Sequence, residues 1–73
     1  MDGQQANSNG RALTEREREV VRRIAEGDTT DQIAERLFIS RTTVDTHVRK
    51  AMGRLGAKNR AHLIALALVA GEI

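Results

Sequence analysis

The stretch Thr29–Leu55, TTDQIAERLFISRTTVDTHVRKAMGRL, decides the fold of this chain. Its first part places Ile33, Ala34 and Leu37 at helical spacing, which predicts a short helix with one apolar side. Residues 38–40 follow as a tight turn, and a longer, basic helix comes after them. A short helix, a tight turn and a second helix are the pattern of a helix-turn-helix.

Capping residues and glycines mark the ends of four helices along residues 12–73. Thr, Ser and Asn accept hydrogen bonds from first-turn amides, and a Glu or Gln three residues later completes a capping box. Glycine just after a helix readily takes up the left-handed conformation that ends it. These signals predict helices from the Thr14–Glu17 capping box to Gly27, from the Thr29–Gln32 capping box to about Leu37, from Ser40 to Gly56, and from Asn59 and Arg60 through about Ala70 to Gly71.

The expected architecture is all-α, a four-helix bundle with a central helix-turn-helix and no wing. The chain has one aromatic residue and no Pro, which favours helices over sheet. Apolar residues at steps of three and four mark the side of each helix that should face the core. The expected inward positions are Val20, Val21, Ile24 and Ala25 in the first helix, Val44, His47, Val48, Ala51 and Leu55 in the third, and Leu63, Ile64, Ala67 and Leu68 in the fourth.

The length of 73 residues allows one small domain, and we assign it to residues 12–73. Residues 1–11 are small or polar without periodicity, so we expect a disordered tail or a linker. The chain has no Cys, which excludes disulfides and thiolate metal sites and fits the reducing cytoplasm. No signal peptide and no apolar run of membrane-spanning length is present, so we expect a cytoplasmic protein without membrane contact.

Charge is distributed unevenly along the chain. Residues 1–35 hold eight acidic residues against five Arg, a net charge of −3. Residues 36–73 hold seven basic residues against two acidic ones, a net charge of +5. A basic half of this kind is typical of a surface that binds a polyanion, although a solvated helix surface would have the same composition.

The polar side of the third helix carries the residue types that contact DNA. Arg pairs with guanine edges, Thr donates, accepts or touches a thymine methyl, and helix N-termini hold phosphates. The candidate base-reading residues are Arg41, Thr42, Asp45, Thr46 and Arg49. The candidate phosphate contacts are Thr29, Thr30, Ser40, Thr43, Lys50, Arg54 and Lys58. We therefore expect the helix at about residues 41–55 to bind in the major groove of double-stranded DNA.

Seven short pieces of the chain together resemble a known family. They are Leu13-Thr14 with Arg16-Glu17 and Glu19-Val20, Ala25-Glu26-Gly27, Ile33-Ala34 with Leu37, Ile39-Ser40, Thr43-Val44 with His47, Leu55-Gly56, and Asn59-Arg60. In this order and spacing they make residues 13–68 similar to the C-terminal DNA-binding domain of the LuxR/FixJ/NarL (GerE-like) family of bacterial transcription regulators. The resemblance implies sequence-specific DNA binding and regulation of transcription.

Asp45 departs from that family pattern, which usually has Lys directly after the Thr-Val pair. An acid at this position lowers phosphate affinity but can accept from a cytosine amino group. It can instead orient Arg41 or Arg49 across one helical turn. We favour Arg49 as the main base reader and Asp45 as a specificity or orienting residue.

The last helix carries a second apolar stripe of Ala65, Leu66 and Val69, which nothing else in the chain covers. A helix that is apolar nearly all round is buried or has a partner. We therefore predict a partner surface, and the resemblance suggests a homodimer through this helix. The alternative is a few exposed apolar side chains, which soluble proteins tolerate.

Residues that suggest chemistry do not form a catalytic set. His47 is expected to pack or to hydrogen-bond, because two His without Cys make a poor zinc site. Glu15, Glu17 and Glu19 suit the first turns of a helix and its dipole. We expect no catalytic residue, no metal or other cofactor, and no small-molecule ligand in this chain.

Two functions stay open from the sequence. The favoured one is a DNA-binding regulator, and the other is a protein-interaction module that docks on RNA polymerase or another regulator through the apolar last helix. Because a receiver or ligand-binding domain commonly precedes this module in the family, the chain is either a stand-alone regulator or a fragment of a longer one.

Overall fold

A computed structural model describes residues 12–73, and they form four helices connected by short turns. The helices are α1 (Glu15–Ala25), α2 (Thr30–Leu37), α3 (Arg41–Leu55) and α4 (Arg60–Val69). The all-α fold with a central helix-turn-helix is thus confirmed, and the helix ends agree with those predicted. The tail predicted at residues 1–11 lies outside the described residues.

Both capping boxes are present. The Thr14 hydroxyl accepts from the Glu17 amide at 3.1 Å, and the Glu17 carboxylate accepts from the Thr14 amide at 3.1 Å. The Thr29 hydroxyl accepts from the Gln32 amide at 3.2 Å, and the Gln32 side chain accepts from the Thr29 amide at 2.8 Å. These reciprocal bonds satisfy amides that have no partner inside the helix, and so they determine where α1 and α2 begin.

The remaining helix ends follow the same local rules. Ser40 accepts from the Thr43 amide at 3.0 Å to open α3, and Asn59 accepts from the His62 amide at 2.8 Å to open α4. Gly56 closes α3 with φ at 71°. This left-handed conformation is sterically cheap for glycine, which explains why the helix ends there.

The turn between α2 and α3 is made by a residue other than glycine. Phe38 has φ at 58°, and its side chain is 94% exposed. The reversal brings the Ile39 amide back to the Ala34 carbonyl at 3.0 Å, and Ile39 packs against the core. The left-handed conformation costs a residue with a Cβ roughly 1–2 kcal/mol. The hydrogen bond and the packing of Ile39 offset this cost.

Helix α3 lies at the centre of the domain and packs against α1, α2 and α4. The core consists of one side of each helix together with Leu13; its members are Leu13, Val20, Val21, Ile33, Ala34, Val44, Val48, Ala51, Leu63 and Ala67. His47 and Leu55 are partly buried beside it. The buried side of α3 therefore agrees with the predicted one, and its opposite side is left free.

Two predicted core positions are wrong. Leu68 is 58% exposed, because it lies about 100° further round α4 than the buried Ala67 and only one side of α4 meets the other helices. Ala25 is exposed as well. It lies about 100° past Ile24 in the last turn of α1, at the edge of the packed side.

The two ends of the domain are tied together by a buried carboxylate that the sequence did not indicate. Glu72 is 4% exposed and accepts from the Ala12 amide at 2.9 Å and the Leu13 amide at 3.4 Å. The Arg18 guanidinium lies 3.7 Å from the same carboxylate and donates to the Leu13 carbonyl at 3.1 Å. The entry to α1 is therefore held by a residue that follows α4.

Candidate nucleic-acid interface

The outward side of α3 brings the five predicted base-reading residues onto one surface. Arg41, Thr42, Asp45 and Arg49 are exposed, and Thr46 is partly buried. Thr46 donates to the Thr42 carbonyl at 3.0 Å, so its hydroxyl is oriented along the helix. Because Val44, Val48 and Ala51 anchor the other side of α3 in the core, this surface is carried on a rigid element.

Several of the predicted phosphate contacts lie at the openings of α2 and α3 or are exposed cations. Thr29 and Ser40 cap α2 and α3, and the first amides of each helix have no acceptor inside the helix. The Ser40 and Thr43 hydroxyls lie 2.9 Å apart, which makes the opening of α3 a compact polar group. Lys50 and Lys58 are exposed. Two capped helix N-termini and two exposed lysines are thus the predicted phosphate contacts that the fold leaves without an ion-pair partner among residues 12–73.

Arg41 is held by an acid from the neighbouring helix. Its Nε lies 2.9 Å from Asp31 Oδ1, and both side chains are more than two-thirds exposed. Such an exposed pair contributes about 0–1 kcal/mol and is screened by salt. Arg41 can therefore leave Asp31 at little cost when another acceptor is offered.

Asp45 pairs with neither of the arginines that we predicted for it. Its carboxylate lies 3.7 Å from the Arg60 guanidinium, whereas Arg41 pairs with Asp31 and Arg49 donates weakly to Thr46 at 3.5 Å. The hypothesis that Asp45 orients an arginine of its own helix is wrong for this structure. The first turn of α4 lies close enough to α3 to supply the cation instead.

Arg60 joins three helices at the edge of the surface. Its Nη2 donates to the Thr30 hydroxyl at 3.0 Å and lies 3.7 Å from Asp45 Oδ1. Thr30 is the first residue of α2. Its hydroxyl, a predicted phosphate contact, therefore already has Arg60 as a partner. Sequence reasoning missed Arg60 as a site residue, because neither partner lies within one helical turn of it.

Arg54, a predicted phosphate contact, is engaged on another side of the domain. Its Nε lies 2.8 Å from Glu17 Oε1, and the Glu17 side chain is only 3% exposed. The pair connects the last turn of α3 to the first turn of α1. Arg54 thus compensates a buried charge.

His47 lies between α3 and α1 and is partly buried. Burial lowers its pKa below the usual range, while the Glu17 carboxylate acts in the opposite direction and raises it. The other histidine, His62, accepts from the Lys58 amide at 3.0 Å and so stabilises the connection between α3 and α4. Among residues 12–73, no group of three acidic, His or Cys side chains is placed to hold a metal ion.

The predicted dimer surface lies on the outer side of α4. Ala65 is exposed, Val69 is 87% exposed and Leu66 is partly buried. Leu68 joins them, so that the exposed apolar surface is larger than the sequence indicated. In the part of the chain that the structure describes, no pocket is found and no helix is long and apolar enough to cross a membrane.

Comparison with known proteins places this geometry in a family. The model of bacterial regulatory proteins of the luxR family matches residues 11–67. The spore germination protein GerE of Bacillus subtilis (strain 168) is 44% identical over 61 residues, which cover 84% of this chain and 82% of GerE. The transcriptional activator protein BjaR1 of Bradyrhizobium diazoefficiens is 43% identical over 56 residues, which cover 77% of this chain but 23% of BjaR1.

A solved structure agrees with the fold. The response regulator ChrA of a heme-sensing two-component system has a TM-score of 0.81 and 34% identity, and the match covers 96% of this chain and 35% of that one. The chain thus spans most of GerE but only a minor part of the longer relatives. By its sequence and its four helices, the chain belongs to the luxR family of bacterial regulatory proteins.

Proposed function

We propose that this domain binds double-stranded DNA with α3 in the major groove and thereby regulates transcription. The observation that carries the proposal is the division of α3 into two sides. One side is buried in the core through Val44, Val48 and Ala51, and the other presents hydroxyl and charged groups beside two capped helix N-termini. A recognition helix needs this combination of rigid support and a free polar side.

Base edges are read by the outward side of α3 in this proposal. Arg49 and Arg41 donate to guanine, and Thr42 and Thr46 contact neighbouring base pairs. Affinity comes mainly from neutralised phosphates, at the openings of α2 and α3 and at Lys50 and Lys58. No cofactor is needed for this function, and it implies that the domain works in the cytoplasm, where bacterial DNA lies.

Selection of bound sequences from a random duplex library, followed by salt titration, tests the proposal. We expect a defined half-site and a steep fall of log Ka against log salt concentration. Arg49→Ala is expected to cost about 1–3 kcal/mol at the selected site and to relax the base preference there. Arg22→Ala, on the exposed side of α1, is the matched control and should change neither the affinity for the selected site nor the base preference. No binding to any duplex at low salt would contradict DNA binding and favour docking on RNA polymerase or another regulator.

The exposed side of α4 favours a homodimer on the DNA. Leu68 and Val69 are exposed next to Ala65, and contiguous exposed apolar side chains, unlike single scattered ones, are a feature of interaction sites. A two-fold dimer presents two α3 helices to half-sites about one helical turn apart. Val69→Glu is expected to abolish self-association in sedimentation and to weaken binding to a two-half-site duplex, with little effect on a single half-site. If the wild-type protein and Val69→Glu both sediment as monomers and bind the two-half-site duplex equally well, the dimer is contradicted.

A further inference from the structure

Arg60 is the cation that lies at the junction of the two helices of the proposed DNA interface. Its guanidinium contacts the first residue of α2 through Thr30 and the second turn of α3 through Asp45. Its side chain is 42% exposed, so it is held from two sides and open to solvent on the others. A guanidinium has five N–H donors, and these two contacts leave several of them available.

Asp45 alone would weaken DNA binding at this place. Its carboxylate stands on the outward side of α3, where phosphates approach the recognition helix, and like charges repel. The neighbouring Arg60 compensates this charge and adds a cation beside the α2 N-terminus, where the Thr30 amide has no acceptor within the helix. A guanidinium next to a free amide is a suitable site for a phosphate oxygen.

We infer that Arg60 contacts a DNA phosphate and that Asp45 is a positioning residue that holds Arg60 in place for this contact. Asp45 then acts on DNA through the guanidinium and does not itself read a base. The inference rests on the proposed function and adds a residue of α4 to the interface. It also explains how an acid is tolerated on the reading surface.

A double-mutant cycle on the whole chain tests the inference. The variants are Arg60→Gln, Asp45→Asn and their combination, with Arg22→Gln as the matched control from the exposed side of α1. The probes are a duplex selected from the random library and a scrambled duplex of equal length, each titrated at several salt concentrations. Urea unfolding of every variant shows that the folded protein is being compared.

Arg60→Gln is expected to weaken binding to both duplexes alike, roughly tenfold, and to reduce the salt slope by about one. In the Asp45→Asn background the same change should have an effect at least about threefold smaller, because the guanidinium is then held by Thr30 alone. Arg60→Lys keeps the charge but not the fork, so we expect the wild-type slope with a smaller loss of affinity. Arg22→Gln should leave affinity and slope unchanged.

Four results would overturn the inference. An unchanged salt slope in Arg60→Gln means that the guanidinium does not meet a phosphate. An equal or larger effect of Arg60→Gln without the Asp45 carboxylate means that the carboxylate acts independently or competes for the guanidinium. Failure of the wild-type chain to bind any duplex removes the proposed function and this inference with it, whereas a loss confined to Arg49→Ala leaves the proposed function and refutes only the role of Arg60.

Discussion

Replacing Arg54 by glutamine separates two roles that this residue can have. As a phosphate contact, Arg54 would serve DNA binding, and its loss would leave the fold unchanged. In the structure its Nε lies 2.8 Å from Glu17, a carboxylate whose side chain is 3% exposed. We therefore expect Arg54→Gln to lower the free energy of unfolding and to leave the salt dependence of DNA binding unchanged.

The magnitude follows from the burial of the two partners. A hydrogen bond to a charged group contributes about 1.5–3 kcal/mol, and breaking a fully buried ion pair costs about 3–5 kcal/mol. The Arg54 side chain is 40% exposed, so water can partly replace it, and the lower range applies. A loss of about 2 kcal/mol corresponds to a fall of roughly 8–16 °C in the melting temperature of a domain of this size.

Two measurements on the same proteins decide between the roles. Urea unfolding followed by circular dichroism gives stability, and titration of the selected duplex at several salt concentrations gives the slope. Lys50→Gln is the matched control because Lys50 is an exposed cation on the same helix. It should keep its stability within about 0.5 kcal/mol and reduce the slope by about one.

If Arg54→Gln unfolds at the wild-type urea concentration and reduces the slope as Lys50→Gln does, Arg54 is a phosphate contact and not the partner of Glu17. A further check uses Glu17→Gln, which removes the buried charge. In that background Arg54→Gln should lower the free energy of unfolding clearly less, because no buried carboxylate is left without its partner.

The other predictions concern α3 and pH. Gly53→Ala should raise the free energy of unfolding by about 0.5–1 kcal/mol, because a Cβ there meets open space inside a helix. Gly56→Ala should lower it by about 1–2 kcal/mol, because its φ of 71° is a left-handed conformation that a residue with a Cβ adopts at a cost. Urea unfolding checks both. Burial lowers the pKa of His47, so the unfolded chain takes up its proton first as the pH falls below about 6.5. Stability should therefore fall towards acid pH, and His47→Gln should make the unfolding midpoint less dependent on pH.

Helix ends and the buried side of α3 could be predicted because both depend on neighbours in the sequence. Thr14 and Ser40 cap helices through amides three residues away, and Gly56 ends α3 through its own backbone conformation. Val44 and Val48 lie one turn apart, so the spacing alone places them on one side. The outward positions of α3 followed directly from that assignment.

The partners of charged side chains could not be predicted in the same way. From the sequence, Asp45 had candidates only within one turn of its own helix, yet its partner Arg60 belongs to α4. Arg54 and Glu17 meet because α3 crosses α1 at one end, and Glu72 reaches Ala12 from the other end of the chain. Each of these pairs depends on how the helices cross.

The sequence by itself determined four helices, their caps, the outward side of α3 and the family, because those signals act within a few residues or as an ordered set of short motifs. The tertiary structure decided which cations are paired inside the domain and which remain exposed. It assigned Arg54 to a buried carboxylate, brought Arg60 beside Asp45, and left Leu68 exposed. A charge or an apolar side chain is available to a partner only after helix packing has buried or paired the others.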